Sequence, residues 1–358
     1  MTTVLIMAGG TGGHVFPGLA VADVLRLRAC KVIWMGTRRG IEGRLVPAAG
    51  IPVEWVRVSG LRGKGLLNWL RAPLNLVRAF YDALAVMRRC RPDVVLGLGG
   101  FVAGPGGLAA RLLGKPLVIH EQNAVAGLTN RLLTRFATVT ASAFPDSFRN
   151  RADVVVTGNP VRQSIYSTTH CAASTDEPPR LLVFGGSQGA EILNRVVPAA
   201  LGLLPTNKRP RVLHQAGQQR SASVRLAYEL AGVTANVCDF IDDMAAAYAG
   251  SDLAVCRSGA LTVAELAAAH VPSILVPLPS AVDDHQTANA RYLTDRGAAL
   301  LLPQSDLTPE VLARELLSLL SDASERRRAM TEAAKRAAIP DAAERLADLC
   351  LAVSGATL

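Results

Sequence analysis

One short pattern occurs twice, about half the chain apart, and it limits the possible fold more than any other feature. The apolar run Val4-Leu5-Ile6-Met7-Ala8 leads into Gly9-Gly10-Thr11-Gly12-Gly13-His14, and Leu181-Leu182-Val183-Phe184 leads into Gly185-Gly186-Ser187-Gln188-Gly189-Ala190. An apolar helical pattern follows each. Glycines at a strand-to-helix turn let backbone N–H groups approach a ligand, and the helix N-terminus behind them favours negative charge. Two such turns predict an α/β chain of two nucleotide-type domains facing one cleft.

Length agrees, because 358 residues exceed what one hydrophobic core usually fills. Strands alternate with helices through Lys31 to Met35, Asp93 to Leu98 and Pro116 to His120, with a helix expected from Pro17 to Leu25. From Gln163 to Pro179 the text turns polar and irregular, as a linker would. The second half restarts at Leu181, with strands expected at Val212 to His214, Val237 to Phe240, Leu253 to Val255 and Ser273 to Pro277. A helical stretch from Pro309 to Ala338 is cut by Pro340, leaving a final amphipathic helix from Asp341. The expected domains are therefore 1–160, completed by a helix in 341–358, and 161–340.

Charge is divided between the halves. Residues 1–160 hold 20 Lys and Arg against 8 Asp and Glu, whereas 161–358 hold 18 against 21. Nucleic acid, anionic lipid and a phosphorylated substrate would all be drawn to the basic half, and a solvated basic face is the plain alternative. Six cysteines at 30, 90, 171, 238, 256 and 350 show no short spacing, which points to neither a zinc site nor a disulfide framework. Met1-Thr2-Thr3 runs straight into a strand, and no segment offers the about 20 uninterrupted apolar residues of a membrane span, so a soluble or peripheral protein is expected.

The turns themselves exclude some chemistry. Gly10-Thr11-Gly12-Gly13-His14-Val15 puts Val where a dinucleotide fingerprint needs its last glycine, and the second strand ends Met35-Gly36-Thr37 without an acid for a ribose. Neither turn carries a Walker lysine. A third loop, Arg257-Ser258-Gly259-Ala260-Leu261-Thr262-Val263-Ala264-Glu265, follows a strand and opens a helix. Its N–H groups suit a diphosphate, and Glu265, on the same helix face as Leu261 and Thr262, suits two ribose hydroxyls. An ordinary Ser-capped helix with an acid in its first turns is the other reading.

Taken in order, Gly9-Gly10-Thr11-Gly12-Gly13-His14-Val15-Phe16-Pro17, Gly97-Leu98-Gly99-Gly100-Phe101, His120-Glu121-Gln122-Asn123, Gly158-Asn159-Pro160-Val161-Arg162, Gly185 to Ala190 and Arg257 to Thr262 resemble the bacterial peptidoglycan N-acetylglucosaminyltransferases of the MurG type over nearly the whole chain. The resemblance implies two Rossmann-like domains around a cleft, the GT-B arrangement. It implies inverting transfer of GlcNAc from UDP-GlcNAc to the C4 hydroxyl of MurNAc-pentapeptide on undecaprenyl diphosphate, lipid I to lipid II, with no metal or other cofactor. It also implies a peripheral place on the cytoplasmic face of the inner membrane, near other cell-wall enzymes.

By the same resemblance the C-terminal domain holds the donor through Arg162, Ser187, Ile241, Ala260, Leu261, Thr262, Val263, Ala264, Glu265 and Gln286, while Thr11, Gly12, Gly13 and Asn123 also touch its sugar. Ser280 stands where relatives often carry His. Asp242-Asp243 and Asp283-Asp284 read as loop acids, since adjacent side chains diverge. His14, at the end of the glycine turn, is a candidate general base, or else it orients the turn or binds phosphate. Glu121 is the rival base, or else structural.

The stretch Leu61 to Phe80 mixes apolar bulk with basic residues, and Leu66, Leu67 and Trp69 with Arg62, Lys64 and Arg71 are expected to face anionic lipid. Packing of this helix on its own domain is the alternative, and some of Leu70, Leu74 and Val77 are expected to be packed in that way. Two other functions compete. A UDP-GlcNAc 2-epimerase shares the design and the donor, yet would leave the basic half unexplained. A nucleic-acid binder has too few aromatic residues for stacking, at 4% of the chain, so nucleic acid is not an expected partner.

Overall fold

The computed structural model of the protein describes residues 1–58, 66–149, 151–167, 177–186, 188–321 and 325–355, excluding the side chains of residues 66–72 and of Val282. The chain forms two compact units, Met1–Arg162 with Ile339–Leu358, and Gln163–Ala338.

In the first unit the described strands are β1 (Thr3–Met7), β2 (Lys31–Gly36), β3 (Val53–Trp55), β4 (Val94–Gly97), β5 (Leu117–Glu121), β6 (Val139–Ser142) and β7 (Val154–Val156). They pair in parallel in the order β3-β2-β1-β4-β5-β6-β7. Helices α1 (Gly12–Leu27), α2 (Glu42–Ala48), α3 (Leu66–Cys90), α4 (Ala103–Leu112) and α5 (Leu128–Leu133) connect them. Strand order reverses between β1 and β4, the place where open α/β sheets hold ligands. The turns Gly9–Gly13 and Gly97–Gly100 leave from those two strands.

Both sheet faces are covered, which is why the strands read as unbroken apolar runs. Val4 and Ile6 pack with Val21 and Leu25 of α1 on one face, and Leu5 and Met7 pack with Met87 of α3 and Ala110 of α4 on the other. Helix α1 starts at Gly12 rather than at Pro17. The Thr11 carbonyl accepts the N–H groups of His14 and Val15 at 3.1 and 3.2 Å, so the helix is already wound before Pro17. Proline lacks only the N–H that would return to the Gly13 carbonyl; its φ is already helical.

The second unit repeats the plan with β8 (Arg180–Phe184), β9 (Arg211–Gln215), β10 (Ala235–Cys238), β11 (Leu253–Cys256), β12 (Ser273–Leu275) and β13 (Ala299–Leu301). Their order is β10-β9-β8-β11-β12-β13, again parallel. Its described helices are α6 (Gln163–Tyr166), α7 (Glu191–Gly202), α8 (Ser221–Leu230), α9 (Met244–Ala249), α10 (Ala260–Ala268), α11 (His285–Thr294), α12 (Pro309–Leu320) and α13 (Glu325–Ala337). The stretch expected as one helix after Pro309 is thus two, because Ser321 takes an extended backbone, ψ 143°, at the end of α12. Here the order reverses between β8 and β11, so the turns after these strands take the switch point.

A last helix, α14 (Ala342–Val353), returns to the first unit. Leu346, Ala347, Cys350 and Leu351 are buried in the same cluster as α1, and Arg28 pairs with Asp348. Among the described residues no helix is long and apolar enough to cross a membrane.

Close approach of α1 to the sheet fixes where the first turn sits. A Cβ on Gly18 would lie 2.5 Å from the Trp34 ring and 2.9 Å from Leu98. Trp34 is fully buried and its indole N–H donates to the Ala8 carbonyl at 2.9 Å, just below the turn. Gly18→Ala is therefore expected to destabilise the first unit by about 1–3 kcal/mol through overpacking, although alanine is the better helix former by about 1 kcal/mol. Tryptophan fluorescence during urea unfolding reports it, since Trp34, Trp55 and Trp69 all lie in this unit. An unchanged midpoint would show that helix and sheet have room to spare.

Candidate active site

At the carboxyl end of β1, Gly10 has φ +92°, a conformation that side chains resist. The turn after β4 holds Gly99 and Gly100 at φ +102° and +78°. A Cβ on Gly100 would lie 2.4 Å from the Gly9 carbonyl oxygen, so the two turns meet backbone to backbone. His14 stands at this meeting on the first turn of α1, with its Cδ2 and Nε2 3.0 Å from where a Gly99 Cβ would be and its Nδ1 3.2 Å from Thr11 Oγ1. Burial lowers the imidazole pKa below the ordinary 6.5, partly opposed by the charge of Glu121, the Gly9 carbonyl and the charge of Glu42. The ring is neutral at pH 7 and can take a proton. No side chain caps α1, which leaves the N–H groups around Thr11, Gly12 and Gly13 for a ligand.

Glu121 ends β5 and is only 3% exposed. Its Oε1 accepts from the Asn123 N–H and Nδ2, both at 3.0 Å, and its Oε2 accepts from the Gly127 N–H at 3.1 Å and Asn130 Nδ2 at 2.8 Å. Four donors occupy the carboxylate, three from the loop that presents Asn123 and the fourth from Asn130 on α5. His120 beside it is buried, bonding the Gly158 carbonyl through Nε2 at 3.0 Å and Gln122 Nε2 through Nδ1 at 3.1 Å. Burial brings its pKa down to about 4, so it is the neutral Nε2–H tautomer that donates to Gly158. Asn159 Nδ2 donates to the Gln122 carbonyl at 3.0 Å, tying the Gly158 loop to β5.

Arg162 ends that loop and belongs to the first unit, not to the donor-binding half where the resemblance put it. Its guanidinium lies 4.5 Å over the ring of Phe16, two residues along α1 from His14. A delocalised cation stacks well on an aromatic face.

In the second unit Gly186 and Gly189 have φ +84° and +71°, and a Cβ on Gly189 would lie 2.0 Å from the Ala216 carbonyl oxygen. Ser187 lies outside the described residues. Gln215 Nε2 donates to the carbonyls of Gly186 at 2.9 Å and Asp239 at 3.2 Å, joining this turn to the loop that carries Ile241. The loop acids serve as caps. Asp239 Oδ1 accepts from the Arg220 and Ser221 N–H groups at 3.1 and 2.8 Å, and Asp243 Oδ1 accepts from the Ala246 N–H at 3.0 Å. Thr287 Oγ1 donates to Asp284 Oδ1 at 2.7 Å.

Helix α10 follows Gly259, which has extended backbone and no side chain to offer. Ser258 does not cap it: the residue is fully buried and its hydroxyl donates to the Gln286 carbonyl at 2.8 Å. The Ser-capped reading is thereby corrected, and the positive end of α10 at Ala260, Leu261 and Thr262 has no side-chain cap. Val263 is buried, so only its backbone can meet a ligand, whereas Ala264 is half-buried. Glu265 is 6% exposed, and Tyr248 OH donates to its Oε2 at 3.1 Å. Tyr248 is itself fixed by full burial and an edge contact with Phe184 at 6.0 Å. Gln286 Oε1 accepts from the Leu278 N–H at 3.0 Å, which fixes its side-chain amide, and Asn289 Nδ2 donates to the Ser258 carbonyl at 3.2 Å.

The first unit thus brings Thr11, Gly12, Gly13, His14, Glu121, Asn123 and Arg162 together at one edge of its sheet, and the second brings Ile241, Ala260 to Glu265 and Gln286 to the equivalent edge. Glu42, Gln215 and Tyr248 were not singled out from sequence. Their partners lie 32, 29 and 17 residues away, and only the glycines flanking Glu42 hinted at a special site.

Residues 4–142 match the glycosyltransferase family 28 N-terminal domain and residues 180–346 the family 28 C-terminal domain. The UDP-N-acetylglucosamine–N-acetylmuramyl-(pentapeptide) pyrophosphoryl-undecaprenol N-acetylglucosamine transferase of Stutzerimonas stutzeri is 54% identical over 351 residues, 98% of each chain. The crystal structure of Acinetobacter baumannii MurG superposes with a TM-score of 0.81 at 43% identity, covering 98% of this chain and 100% of that one. A UDP-GlcNAc 2-epimerase from Neisseria meningitidis reaches a TM-score of 0.71 over 98% of this chain and 100% of that one, but at 13% identity, a likeness of fold alone. This chain belongs to glycosyltransferase family 28, among the N-acetylglucosamine transferases that these full-length relatives represent.

Proposed function

We infer that this chain transfers N-acetylglucosamine from UDP-N-acetylglucosamine to N-acetylmuramyl-(pentapeptide) pyrophosphoryl-undecaprenol, the step from lipid I to lipid II in peptidoglycan synthesis. The observation that carries this is 54% identity to such a transferase across 98% of both chains. The epimerase alternative rests on fold alone.

The geometry supports a single displacement. The acceptor C4 hydroxyl gives its proton to His14 as its oxygen bonds the anomeric carbon, and the bond to UDP breaks with its electrons. Charge on the departing diphosphate is offset by the uncapped N-terminus of α10, without a proton or a metal. Glu121 acts as the brace that presents Asn123, because its carboxylate is held by four donors while the His14 ring is not. Thr11, Gly12, Gly13 and Asn123 hold sugar or diphosphate at the first turn, with Arg162 adding positive charge beside it. Ile241 meets the uracil through its backbone, Glu265 takes the ribose hydroxyls, and Gln286 meets the donor sugar. Ser187 is assigned to base or phosphate by resemblance.

The described part of α3 both packs and projects. Ala83, Leu84 and Met87 are buried in the first unit, while Leu74 and Val77, two of the three residues of which some were expected to be packed, are 53% and 50% exposed. Tyr81 on α3, Leu112 on α4, and Leu128 and Leu132 on α5 add exposed apolar area, interleaved with exposed Arg78, Arg111, Arg131 and Arg135. This surface suits peripheral docking on the anionic cytoplasmic face of the inner membrane, where the lipid-linked acceptor lies, at about 1 kcal/mol per basic residue. Arg62 and Lys64 lie outside the described residues, as do the side chains of Leu66, Leu67, Leu70, Trp69 and Arg71.

His14→Ala is expected to slow transfer by about 10²–10⁴-fold with UDP binding retained, measured with labelled UDP-GlcNAc and a short-chain lipid I analogue. The base must be neutral to act, so activity falls as pH drops through the His14 pKa. Burial sets that pKa below 6.5, and the acidic limb of kcat/KM belongs below 6.5 too. A limb above 6.5 would exclude His14.

Tyr248→Phe removes the hydroxyl that orients Glu265. The KM for UDP-GlcNAc is expected to rise by about tenfold, one lost hydrogen bond, and discrimination against the 2′-deoxyribose donor to narrow. Unaltered discrimination would take the ribose away from Glu265.

The double variant Arg131→Glu, Arg135→Glu is expected to lose co-sedimentation with vesicles containing anionic lipid while transfer to a soluble acceptor persists. Wild-type pelleting would move the docking surface elsewhere.

A further inference from the structure

Glu42 has no place in the chemistry so far, yet its surroundings are built for it. It opens α2, is fully buried, and its Oε2 accepts from the Gly10 N–H at 3.0 Å while its Oε1 accepts from the Thr37 N–H at 3.1 Å and Thr37 Oγ1 at 2.6 Å. Three glycines leave room for this side chain and nothing more: a Cβ on Gly9, Gly36 or Gly40 would lie 2.6, 2.9 or 1.9 Å from its atoms. A buried carboxylate costs several kcal/mol unless its hydrogen bonds repay it, and replacing it by an apolar side chain is often neutral or better for stability. A fold held only by packing would not need it here.

One peptide group joins Glu42 to the site. The Gly9–Gly10 amide turns its N–H to Glu42, and its carbonyl, on the Gly9 side, accepts from the His14 imidazole. Gly100 presses on that same carbonyl, since a Cβ there would be 2.4 Å away, and Gly99 lies against the ring, so neither the peptide nor the imidazole can turn aside. Hydrogen bonds in series polarise one another, each strengthening the next by about 10–30%.

We propose that Glu42 is the positioning residue for His14, acting through the Gly9–Gly10 peptide: it orients and polarises that peptide so that its carbonyl fixes which ring nitrogen holds the proton and makes the other a better proton acceptor. The proposal rests on His14 being the base. The ionisable groups that act on the imidazole are Glu121 from the end of β5 and Glu42 from α2, and both favour its protonated form. Glu121 does so across space while holding the Asn123 loop; Glu42 alone is bonded to the peptide that the ring touches.

Glu42→Gln tests this in the full chain, since glutamine can keep one bond to Thr37 but loses the charge. The expected result is a kcat lower by about 10- to 100-fold, the size typical of partners that orient a functional side chain, with the KM for UDP-GlcNAc unchanged. The acidic limb of the pH profile and the NMR titration of the His14 Cε1 proton should both move to lower pH. Wild-type kcat and an unmoved His14 titration, in a protein whose His14→Ala variant is inactive, would overturn the role of Glu42 and leave the base in place. An active His14→Ala variant would instead remove the base, and the proposal with it. If Glu42→Gln does not fold, the wild-type Gly10 amide decides: it should resonate downfield and shift with the His14 titration, and an amide indifferent to that titration overturns the proposal.

Discussion

The Gly9 carbonyl has no room for a side chain beside it, and the first unit is organised around that lack of room. Gly100 must approach within contact distance, so the turns after β1 and β4 meet through bare backbone. Helix α1 begins just beyond that contact, at Gly12, which puts His14 on the first turn of the helix instead of in a loop. Trp34 supports the arrangement from below by bonding the Ala8 carbonyl, and Gly18 lets α1 lie against Trp34. A helix displaced outward by one methyl group would carry the imidazole with it.

Electrostatics then follow from which groups are left unsatisfied. Both α1 and α10 start without a side-chain cap, an omission that would cost about 0.5–2 kcal/mol in an ordinary helix. Side-chain caps occur at α12, from Thr308, and at α9, from Asp243, while α2, α4, α5, α7, α8, α11 and α14 also start without one. What distinguishes α10 is Ser258, which adjoins the helix start yet directs its hydroxyl to the Gln286 carbonyl. In the reaction proposed above, these two ends are the ones placed to offset diphosphate charge.

Much of this was legible in the order of residues, and the failures have a common cause. The duplicated strand-glycine-helix unit announced two parallel sheets because every signal in it is local: apolar run, glycine, apolar period. Pro17 was misread because proline is a start signal only when no earlier residue has wound the turn, and the Thr11 carbonyl had. The choice between the two readings of the Ser258 loop could not be made locally, because the partner of Ser258 is 28 residues away. Arg162, the last residue of the first unit's long segment, stacks on a ring of α1, Phe16, that no local pattern connects to it. Contacts that close long loops leave no trace in spacing, and the roles of Glu42, Gln215 and Tyr248 are made of such contacts.

The two turns, so alike in sequence, are finished differently. The first is packed against a titratable ring whose pKa is lowered by burial and sustained by two carboxylates. The second is packed against Gln215, which cannot titrate, and Asp239 and Asp243 of the loop that Gln215 joins to it are occupied as helix caps. His214, on the neighbouring strand β9, is fully buried between Tyr228 and Asn194, and burial drives its pKa to about 3, so it stays neutral. A buried proton acceptor thus stands at the first turn, whereas the described groups just named at the second are an amide, a neutral buried imidazole and capping carboxylates. A displacement reaction needs one of each: a group that accepts a proton from the attacking hydroxyl, and a fixed positive end that receives a leaving diphosphate without protonating it.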